Sequence, residues 1–431
     1  MAWPDTTAAE RSAQERPTVV EVLRRHAAEY VRKHARQAVP QVQNVLARLS
    51  LCRTRALGGH RFRCDGCGQQ VNLYNSCGDR HCPGCSGARR SNWLDSAAQL
   101  LLPGVDYFQV VFTLPEQLSA LALGNRRQVY NLLFLSAWEA LRDVLREELG
   151  IDSAATMVLH TWNQRLEQHA HIHALVPGGG PSLTGEQWTK TRHKRQRRRK
   201  QPYLVDNKLL GQRFRAKFIA GIKRLHAQGE LKLIGEWSKL TDHEAFDAFL
   251  NSIAPDGWVV FIEPPPTEDA RPENVLKYLA RYMAGGPISD RRLISHDGKD
   301  VLFWARSKKK QSEGTRPQSV PVKLSAVEFT RRWALHILPK GFVKVRSYGG
   351  YSNINRKAYL ERCRRLLGID HTDEPGNDEQ GVTPDLATET NELSIKCPDC
   401  HRPMTCIVST DRPSWSITMH SSYRPPWYHD D

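Results

Sequence analysis

The feature that most constrains this chain is an apolar segment that contains two histidines, His171 and His173. Alternate side chains of a β-strand point to the same face of a sheet, so the two imidazoles would lie side by side. Ile172, Ala174 and Val176 indicate a buried strand, where two polar rings without a partner would cost free energy. Because neutral imidazoles bind many divalent ions, the pair predicts a metal clamp. The alternative is a pair of histidines that only pack or face solvent.

A third metal ligand is expected from the strand that precedes the histidines. Residues 157–164 have the composition of such a strand, and a short turn would join them to the histidine strand in a hairpin. If the chain turns near residues 167–168, Gln164 lies roughly opposite the pair and is the first candidate. His169, which is in line with His171, is the second candidate.

Two tyrosines, Tyr278 and Tyr282, lie about a hundred residues further on, in a stretch with helical periodicity. Residues at i and i+4 share one helix face, with their Cβ atoms roughly 6 Å apart. A tyrosine can attack phosphorus, but with a solution pKa of about 10 its hydroxyl is protonated at neutral pH and is a weak nucleophile. A metal ion that polarises the phosphate would compensate for this. The alternative is an ordinary buried helix face, because Val275 and Leu279 continue the apolar pattern. The basic charge and the metal-binding motifs of the chain favour the nucleophile interpretation.

Two C-x-x-C motifs, Cys64-x-x-Cys67 and Cys82-x-x-Cys85, are separated by fourteen residues. Tetrahedral Zn²⁺ is held by four thiolates from two tight turns, and each motif contains a glycine that suits such a turn. The sequence therefore predicts one structural zinc site formed by these four cysteines. A nucleobase deaminase is excluded, because its zinc site needs an H-x-E sequence that does not occur upstream.

Other cysteines and histidines leave further metal sites open. Cys52, His60, Cys77 and His81 lie near the two motifs and could complete a second zinc site, replace one ligand or be structural. A third motif near the C-terminus could form a degenerate zinc ribbon or bind no metal. Its residues are Cys397, Cys400, His401 and Cys406.

The formal net charge of +16 and the pI of about 9.5 favour an anionic polymer as partner. The basic run at residues 191–200 predicts contacts with the phosphate backbone, which position DNA without selecting its sequence. Lys308–Lys310 form a smaller run, and a solvated loop is the alternative for both. The candidate DNA contacts in the longer run are Arg192, Lys194, Arg195, Arg197, Arg198, Arg199 and Lys200.

The chain has the composition of a protein without a membrane span. No run of 18 or more apolar residues occurs, and mean hydropathy is −0.55. The first residues lack the basic region and the apolar core of a secretion signal. C-x-x-C spacing in an unsecreted chain indicates metal binding rather than disulfides. We therefore expect a reducing compartment, the cytoplasm.

The order of predicted helices and strands favours an α+β fold. Helical periodicity occurs at 18–50, 127–149 and 213–227, and strands are predicted at 107–114 and 258–262 in addition to the histidine hairpin.

Composition divides the chain into five segments. One of them, 366–395, contains eight acidic residues and no Lys or Arg, which indicates a flexible linker. The expected segments are an N-terminal helical region (1–50), a zinc-binding domain (51–98), a domain with the histidines and tyrosines (99–365), the acidic linker (366–395) and a small cysteine-containing tail (396–431).

These motifs together resemble the zinc-containing insertion-sequence transposases of the HUH type, which move by a rolling-circle route. Cys64–Cys85, with Ser76-Cys77 and Arg80–Pro83, is similar to the zinc-binding N-terminal domain of that family. Two departures are Ala170, where a proline is common, and Gln109, where a histidine is common. The segments similar to the family's transposase domain are Tyr107–Pro115, Leu159–Trp162, His169–Gly180, Tyr278–Tyr282 and Arg346–Gly349.

The resemblance implies a catalytic domain whose central antiparallel sheet carries the histidines and is flanked by helices. It implies metal-dependent nicking of one DNA strand, with a 5′-phosphotyrosine on the enzyme and a free 3′-hydroxyl. His171 and His173 would hold Mg²⁺ or Mn²⁺, Tyr278 and Tyr282 would be the nucleophiles, and Zn²⁺ would be structural. The expected partners are single-stranded transposon ends and target DNA, and the oligomeric state stays open.

Two other functions remain as alternatives. A rolling-circle replication initiator or a conjugative relaxase would share the chemistry, but the zinc module and the Leu159–Trp162 context argue against both. A non-catalytic zinc-dependent DNA-binding regulator would leave the histidine pair and the tyrosine pair without a role.

Overall fold

The computed structural model describes residues 17–85, 98–196, 199–255, 257–265, 286–307, 318–369 and 395–420. Several sequence predictions fall outside these ranges and are not tested by the fold. They are Tyr278 and Tyr282 with the helix around them, Arg197, Arg198, Lys308–Lys310 and nearly all of the acidic linker.

The helices and strands of the described residues are numbered in chain order. The α-helices are α1 (Val19–Lys33), α2 (Pro40–Ser50), α3 (Ser119–Gly124), α4 (Arg126–Leu149), α5 (Asn207–Ala227), α6 (His243–Ser252), α7 (Ala326–Ala334), α8 (Arg356–Leu367) and α9 (Trp415–Thr418). The strands are β1 (Gly59–Cys64), β2 (Gln70–Tyr74), β3 (Tyr107–Thr113), β4 (Ala154–Trp162), β5 (Gln168–Pro177), β6 (Gly179–Pro181), β7 (Trp188–Lys190), β8 (Arg192–Gln196), β9 (Arg199–Tyr203), β10 (Val260–Glu263), β11 (Leu293–His296), β12 (Asp300–Arg306), β13 (Ser319–Ser325), β14 (Val345–Gly349) and β15 (Met404–Thr410).

Local sequence signals set the ends of several helices. Thr18 and Glu21 form a capping box at the start of α1, in which each side chain accepts a hydrogen bond from the backbone N–H of the other residue. The long helix α4 ends at Gly150, whose φ of 64° is left-handed and suits glycine. The helices predicted at 18–50, 127–149 and 213–227 are confirmed, although the first stretch forms two helices. The predicted tyrosine helix lies outside the described residues.

A five-stranded sheet lies at the centre of the fold, in the order β10–β3–β5–β4–β14, and each neighbouring pair is antiparallel. It contains every strand predicted from sequence. With helices packed beside an antiparallel sheet, the α+β class is confirmed.

The two faces of this sheet have different roles. Phe108 of β3, Leu159 of β4 and Ile172 of β5 pack against α4 and α5 in the main hydrophobic core. Burying a side chain of this size stabilises the fold by about 1.5–3 kcal/mol. Because side chains alternate along a strand, His171 and His173 point to the opposite face.

A second core joins the N-terminal helices to a distant part of the chain. Helices α1 and α2 pack with α7 and the sheet β11–β12–β13, and Tyr30, Phe303 and Trp333 are fully buried there. His26 of α1 lies 3.0 Å from His296 of β11, measured between their Nε2 atoms. The N-terminal helical region therefore packs against the segment that follows the predicted tyrosine helix.

The C-terminal tail is joined to the cysteine-rich module. Strand β15 pairs antiparallel with β1, and β1 pairs with β2, so the three form one sheet. The tail predicted at 396–431 therefore contributes a strand to the module at the other end of the chain. The five domain boundaries themselves stay a prediction. Within the described ranges, no helix combines the length and the apolar character needed to cross a membrane.

Candidate metal centres and DNA-binding surface

The histidine hairpin turns at Asn163–Glu167, where side-chain hydrogen bonds fix the turn. The Oδ1 atom of Asn163 accepts hydrogen bonds from the backbone N–H groups of Arg165 and Glu167, at 2.8 and 3.0 Å. Asparagine favours such turns because its side chain can bond the backbone two residues on. Leu166 completes the turn with a left-handed φ of 60°. The turn therefore comes earlier than the position near 167–168 expected from sequence.

The early turn decides which residue faces the histidine pair. It places His160 of β4 directly opposite His171, and Val158 opposite His173. The side-chain nitrogens of His160, His171 and His173 lie within 4.8 Å of one another. Their ring centroids are separated by 4.6–5.3 Å. This cluster, here called the three-histidine site, lies on the face of the sheet opposite the main core.

Gln164 does not lie opposite His171 as expected, because His160 occupies that position, and its role as third ligand stays an untested prediction. It lies in the turn beyond the end of β4, and its backbone carbonyl accepts a hydrogen bond from Arg292. The physical reason is the register: moving the turn toward the N-terminus moves the residue opposite His171 from position 164 to position 160. His169, the second candidate, lies beside His171 at 5.2 Å between ring centroids but outside the cluster.

Hydrogen bonds orient the histidine rings. The Nδ1 atom of His171 lies 2.9 Å from the carbonyl oxygen of His169, so Nδ1 carries the proton and donates it. This leaves the Nε2 lone pair of His171 for a metal. The amide nitrogen Nε2 of Gln109 lies 2.9 Å from Nδ1 of His173 and donates to it in the structure. Gln109 thus supports the ring of His173 from the neighbouring strand β3.

Burial keeps these rings neutral. It lowers the pKa of His171 to about 4 and the pKa of His173 to about 3, from an ordinary value of 6.5, and nearby positive charge adds to the effect at His173. Neutral imidazole is the form that binds a metal ion. The donor set therefore fits a divalent cation.

An aromatic and a cationic side chain border the site. The indole of Trp162 stacks on His160, with ring centroids 4.5 Å apart and planes at 21°. The ammonium of Lys344 lies 5.0 Å from the centre of that indole, within the range of a cation–π interaction. Burial lowers the pKa of Lys344 to about 8.

The first cysteine cluster, called cysteine site 1, is local in sequence. It consists of Cys52, Cys77, Cys82 and Cys85, whose sulfur atoms lie within 4.8 Å of one another. Three of the sulfur–sulfur distances are 3.6 Å, close to the roughly 3.8 Å edge of a zinc tetrathiolate tetrahedron. Hydrogen bonds from the other three thiols lower the pKa of Cys85. These thiols fit a structural Zn²⁺.

The second cluster, called cysteine site 2, joins distant parts of the chain. It consists of Cys64 and Cys67 near β1 together with Cys397 and Cys400 of the C-terminal tail. The single zinc site predicted from Cys64, Cys67, Cys82 and Cys85 is therefore not formed. The two predicted motifs are divided between two clusters, because the tail brings a third motif to the first one.

The remaining ambiguous residues have other partners. His81 lies 3.0 Å from Asp79 through Nδ1, and its Nε2 accepts the backbone N–H of Leu338. His60 contacts Ser409 through Nδ1 at 3.0 Å. The thiol of Cys406 donates to the carbonyl of Val408. His401 contributes no ligand to either cluster.

The basic run forms a hairpin of β8 and β9 that is separate from the central sheet. Arg192 and Lys194 are exposed, and the ammonium of Lys194 lies 4.2 Å from the centre of the Tyr203 ring. The other predicted contacts with described backbone, Arg195, Arg199 and Lys200, lie on the same hairpin. Through Arg192 and Lys194 the hairpin presents positive charge to solvent, as phosphate contacts require.

A cysteine-rich module precedes an antiparallel sheet with three converging histidines, and comparisons with known proteins show which family combines these parts. Residues 22–114 match the family described as “Transposase zinc-binding domain”, and residues 154–358 match the family described as “Putative transposase”. The chain belongs to the insertion-sequence transposases of the IS91 type. Members of this family cut and transfer DNA strands, so DNA is the substrate class.

Two curated relatives have similar length. A protein named “Putative transposase y4qJ” from Sinorhizobium fredii is 36% identical over 397 residues, which are 90% of this chain and 94% of the relative. The “Transposase for insertion sequence element IS801” from Pseudomonas savastanoi pv. phaseolicola is 26% identical over 330 residues, 76% of this chain and 74% of the relative. No solved structure matches the chain.

Sequence reasoning missed two parts of the candidate sites. The pattern favoured Gln164 over His160 as third ligand, although Asn163 is a turn former that could have indicated the early turn. The pairing of Cys397 and Cys400 with Cys64 and Cys67 had only one signal, the identical C-x-x-C spacing of the two motifs.

Proposed function

We propose that this transposase nicks and rejoins single DNA strands through a covalent 5′-phosphotyrosine, with a divalent metal ion at the three-histidine site. The observation that carries the proposal is the convergence of His160, His171 and His173 on the sheet face opposite the main core. Burial lowers the pKa of His171 and of His173 and so keeps these two rings neutral. Burying three imidazole rings close together costs desolvation free energy, which a bound cation would offset. The family membership supplies a DNA substrate for such a site.

Mg²⁺ or Mn²⁺ would be held by the three imidazoles, with open coordination positions for phosphate oxygens. When bound, the ion acts as a Lewis acid on the scissile phosphate. The contribution of the chain is to hold the ligands. The carbonyl of His169 fixes the ring of His171, and the amide of Gln109 supports the ring of His173.

Tyr278 and Tyr282 are the proposed nucleophiles. Support comes from their position inside the segment that matches the transposase family, 154–358, and from their i, i+4 spacing. The phenolic oxygen attacks phosphorus, and the bond between phosphorus and the 3′-oxygen breaks. The proton lost by the phenol is balanced by the proton that the 3′-oxygen gains. A 3′-hydroxyl attacking the phosphotyrosine reverses the step and joins the strand.

The basic hairpin is proposed to position the DNA. Arg192 and Lys194 are exposed there, and further basic residues follow on both strands. Contacts of this kind supply affinity that is independent of base sequence. Single-stranded transposon ends and target DNA are the proposed substrates.

The metal role is tested by covalent adduct formation on single-stranded DNA with Mn²⁺, read on denaturing gels. His160→Ala should abolish the adduct as fully as His171→Ala or His173→Ala, because each removes one of three ligands. His169→Ala is the matched control, since it removes a neighbouring imidazole outside the cluster and should leave most activity. Adduct formation that persists in His160→Ala or in EDTA would refute the three-histidine site.

The nucleophile role is tested by removing only the hydroxyl groups. Tyr278→Phe and Tyr282→Phe keep the rings, so a packing role would survive the change. We expect the double variant to fold and bind DNA normally but to form no adduct, while each single variant retains partial activity. A normal adduct yield from the double variant would place the nucleophile elsewhere, and the absence of any adduct from the wild-type protein would favour a DNA-binding regulator.

A further inference from the structure

Cysteine site 2 has the geometry of a metal site rather than of a disulfide. The sulfur atoms of Cys64 and Cys400 lie 3.4 Å apart, as do those of Cys67 and Cys397. A disulfide requires about 2.05 Å, whereas the edge of a zinc tetrathiolate is roughly 3.8 Å. All four thiols are free and mutually within 4.8 Å. Four sulfur ligands suit Zn²⁺ or an iron–sulfur centre, and two C-x-x-C knuckles that supply them are typical of structural Zn²⁺.

The two C-x-x-C motifs that form this site have the same backbone fold. In the first motif the N–H of Cys64 donates to the carbonyl of Gln69, and the N–H of Gly68 donates to the carbonyl of Cys64, both at 2.8 Å. In the second, the N–H of Cys397 donates to the carbonyl of Arg402 at 2.8 Å, and the N–H of His401 donates to the carbonyl of Cys397 at 3.0 Å. The two motifs are therefore matched knuckles.

The agreement extends to an unfavourable backbone conformation. The fifth residue of each knuckle is left-handed: Gly68 has a φ of 79° and His401 a φ of 58°. Glycine adopts this conformation readily, but histidine does so at a cost. A bound ion that fixes both cysteines of the knuckle would stabilise the conformation at His401.

The surroundings are too small to hold the two knuckles without further stabilisation. Cys64, Cys397 and Met404 form the buried cluster here, with a few half-buried apolar neighbours. Cys67 and Cys400 are exposed. Small units with so little core are usually held by a metal or by disulfides.

We propose that Cys64, Cys67, Cys397 and Cys400 bind a second structural zinc ion, which fastens the C-terminal tail to the N-terminal module. Cys397 and Cys400 lie outside both segments that match known families, 22–114 and 154–358. The ion bridges residues that are 330 positions apart, across the acidic segment. Binding of this zinc and docking of the tail are one equilibrium, because the complete site exists only when the tail is docked.

The two proposed zinc ions can be distinguished experimentally, because their ligands come from different parts of the chain. Cysteine site 1 takes all its ligands from residues 52–85, whereas site 2 needs the tail. Elemental analysis of the full-length protein should therefore give about two zinc ions per chain. Cys397→Ser/Cys400→Ser should lose one ion and keep the other, and Cys52→Ser/Cys77→Ser should lose the other one. Cys406→Ser, which removes an exposed thiol of β15 outside both clusters, should keep two.

A second measurement uses the unchanged protein, so that misfolding of a variant cannot decide the outcome. Cys67, Cys400 and Cys406 are all exposed, but only the first two belong to the site. In zinc-loaded protein iodoacetamide should modify Cys406 and spare Cys67 and Cys400, and a chelator should make all three reactive. Peptide mass mapping that finds Cys67 and Cys400 modified as fast as Cys406, or a wild-type content of only one zinc, overturns the proposal.

Discussion

Gln109 offers a direct test of how the three-histidine site is held. Gln109 is buried, with 6% of its surface exposed, and its amide nitrogen Nε2 lies 2.9 Å from Nδ1 of His173. The amide oxygen of Gln109 is buried and has no hydrogen-bond partner among the described residues. For His173 to bind a metal through Nε2, Nδ1 must carry the proton, so the amide must turn over and bring its oxygen to Nδ1 as the acceptor. Gln109→Met keeps the volume and removes the acceptor. Gln109→Glu keeps an acceptor and makes it stronger.

Loss of such a supporting hydrogen bond typically weakens metal binding by about 10–100-fold, or about 1.4–2.8 kcal/mol. We expect Gln109→Met to raise the Mn²⁺ dissociation constant by that factor, measured from free Mn²⁺ by electron paramagnetic resonance. Because His173 itself remains, saturating Mn²⁺ should restore most of the DNA adduct. Gln109→Glu should bind Mn²⁺ at least as tightly as the wild-type protein.

The comparison of the two variants decides between positioning and packing. An equal loss of affinity in Gln109→Met and Gln109→Glu, or an unchanged affinity in Gln109→Met, would refute the argument. The family resemblance adds a third variant, because a histidine is common at this position. Gln109→His should retain metal binding, since imidazole can also accept the proton.

Three further predictions concern pH, salt and stability. Burial lowers the pKa of His171 from 6.5 to about 4, so between pH 6.5 and pH 4 the unfolded chain binds more protons than the folded protein. The Tm of the metal-free protein should therefore fall as the pH is lowered through this range. The fall should be smaller in His171→Ala. Arg192→Ala/Lys194→Ala should weaken binding to single-stranded DNA of every sequence alike. The slope of the logarithm of the binding constant against the logarithm of salt concentration should fall by about 1.4 in magnitude. An unchanged slope would mean that the hairpin does not contact phosphate. Gly349→Ala should lower the free energy of unfolding by about 1–3 kcal/mol in urea titrations. The reason is that Gly349 has a φ of 59° and that the added methyl group would meet Ser153 and Trp138. An effect near zero would contradict that contact.

Those features of the fold that depend on local sequence were predictable. The apolar alternation of β5 placed the histidines on one face, and Gly150 marked the end of α4. The apolar run at residues 107–114 gave the strand next to the hairpin. Each of these features follows either from the periodicity of apolar side chains or from the backbone preference of a single residue. None of them depends on a contact between distant parts of the chain.

The candidate metal ligands were less predictable, since each depends on a pairing. The choice between His160 and Gln164 rests on the register of one hairpin, which hydrogen bonds within the Asn163–Glu167 turn determine. The grouping of the cysteines rests on β15 pairing with β1, a contact between opposite ends of the chain. Spacing alone gives the metal-binding motifs but not which motifs meet.

The link between the zinc module and the three-histidine site also depends on a distant contact, and His81 is central to it. His81 resembles a zinc ligand in sequence, yet its Nε2 accepts the backbone N–H of Leu338, and neighbouring Arg80 donates to the carbonyl of Pro339. Two residues before Leu338, His336 contacts the hydroxyl of Thr161 at 3.1 Å. Thr161 follows His160 directly on β4. The segment after α7 is therefore fixed at one side by the zinc module and at the other by the strand that supplies the third histidine. This arrangement gives the cysteine-rich module a physical means of holding the histidine hairpin in register, in addition to any contact it makes with DNA.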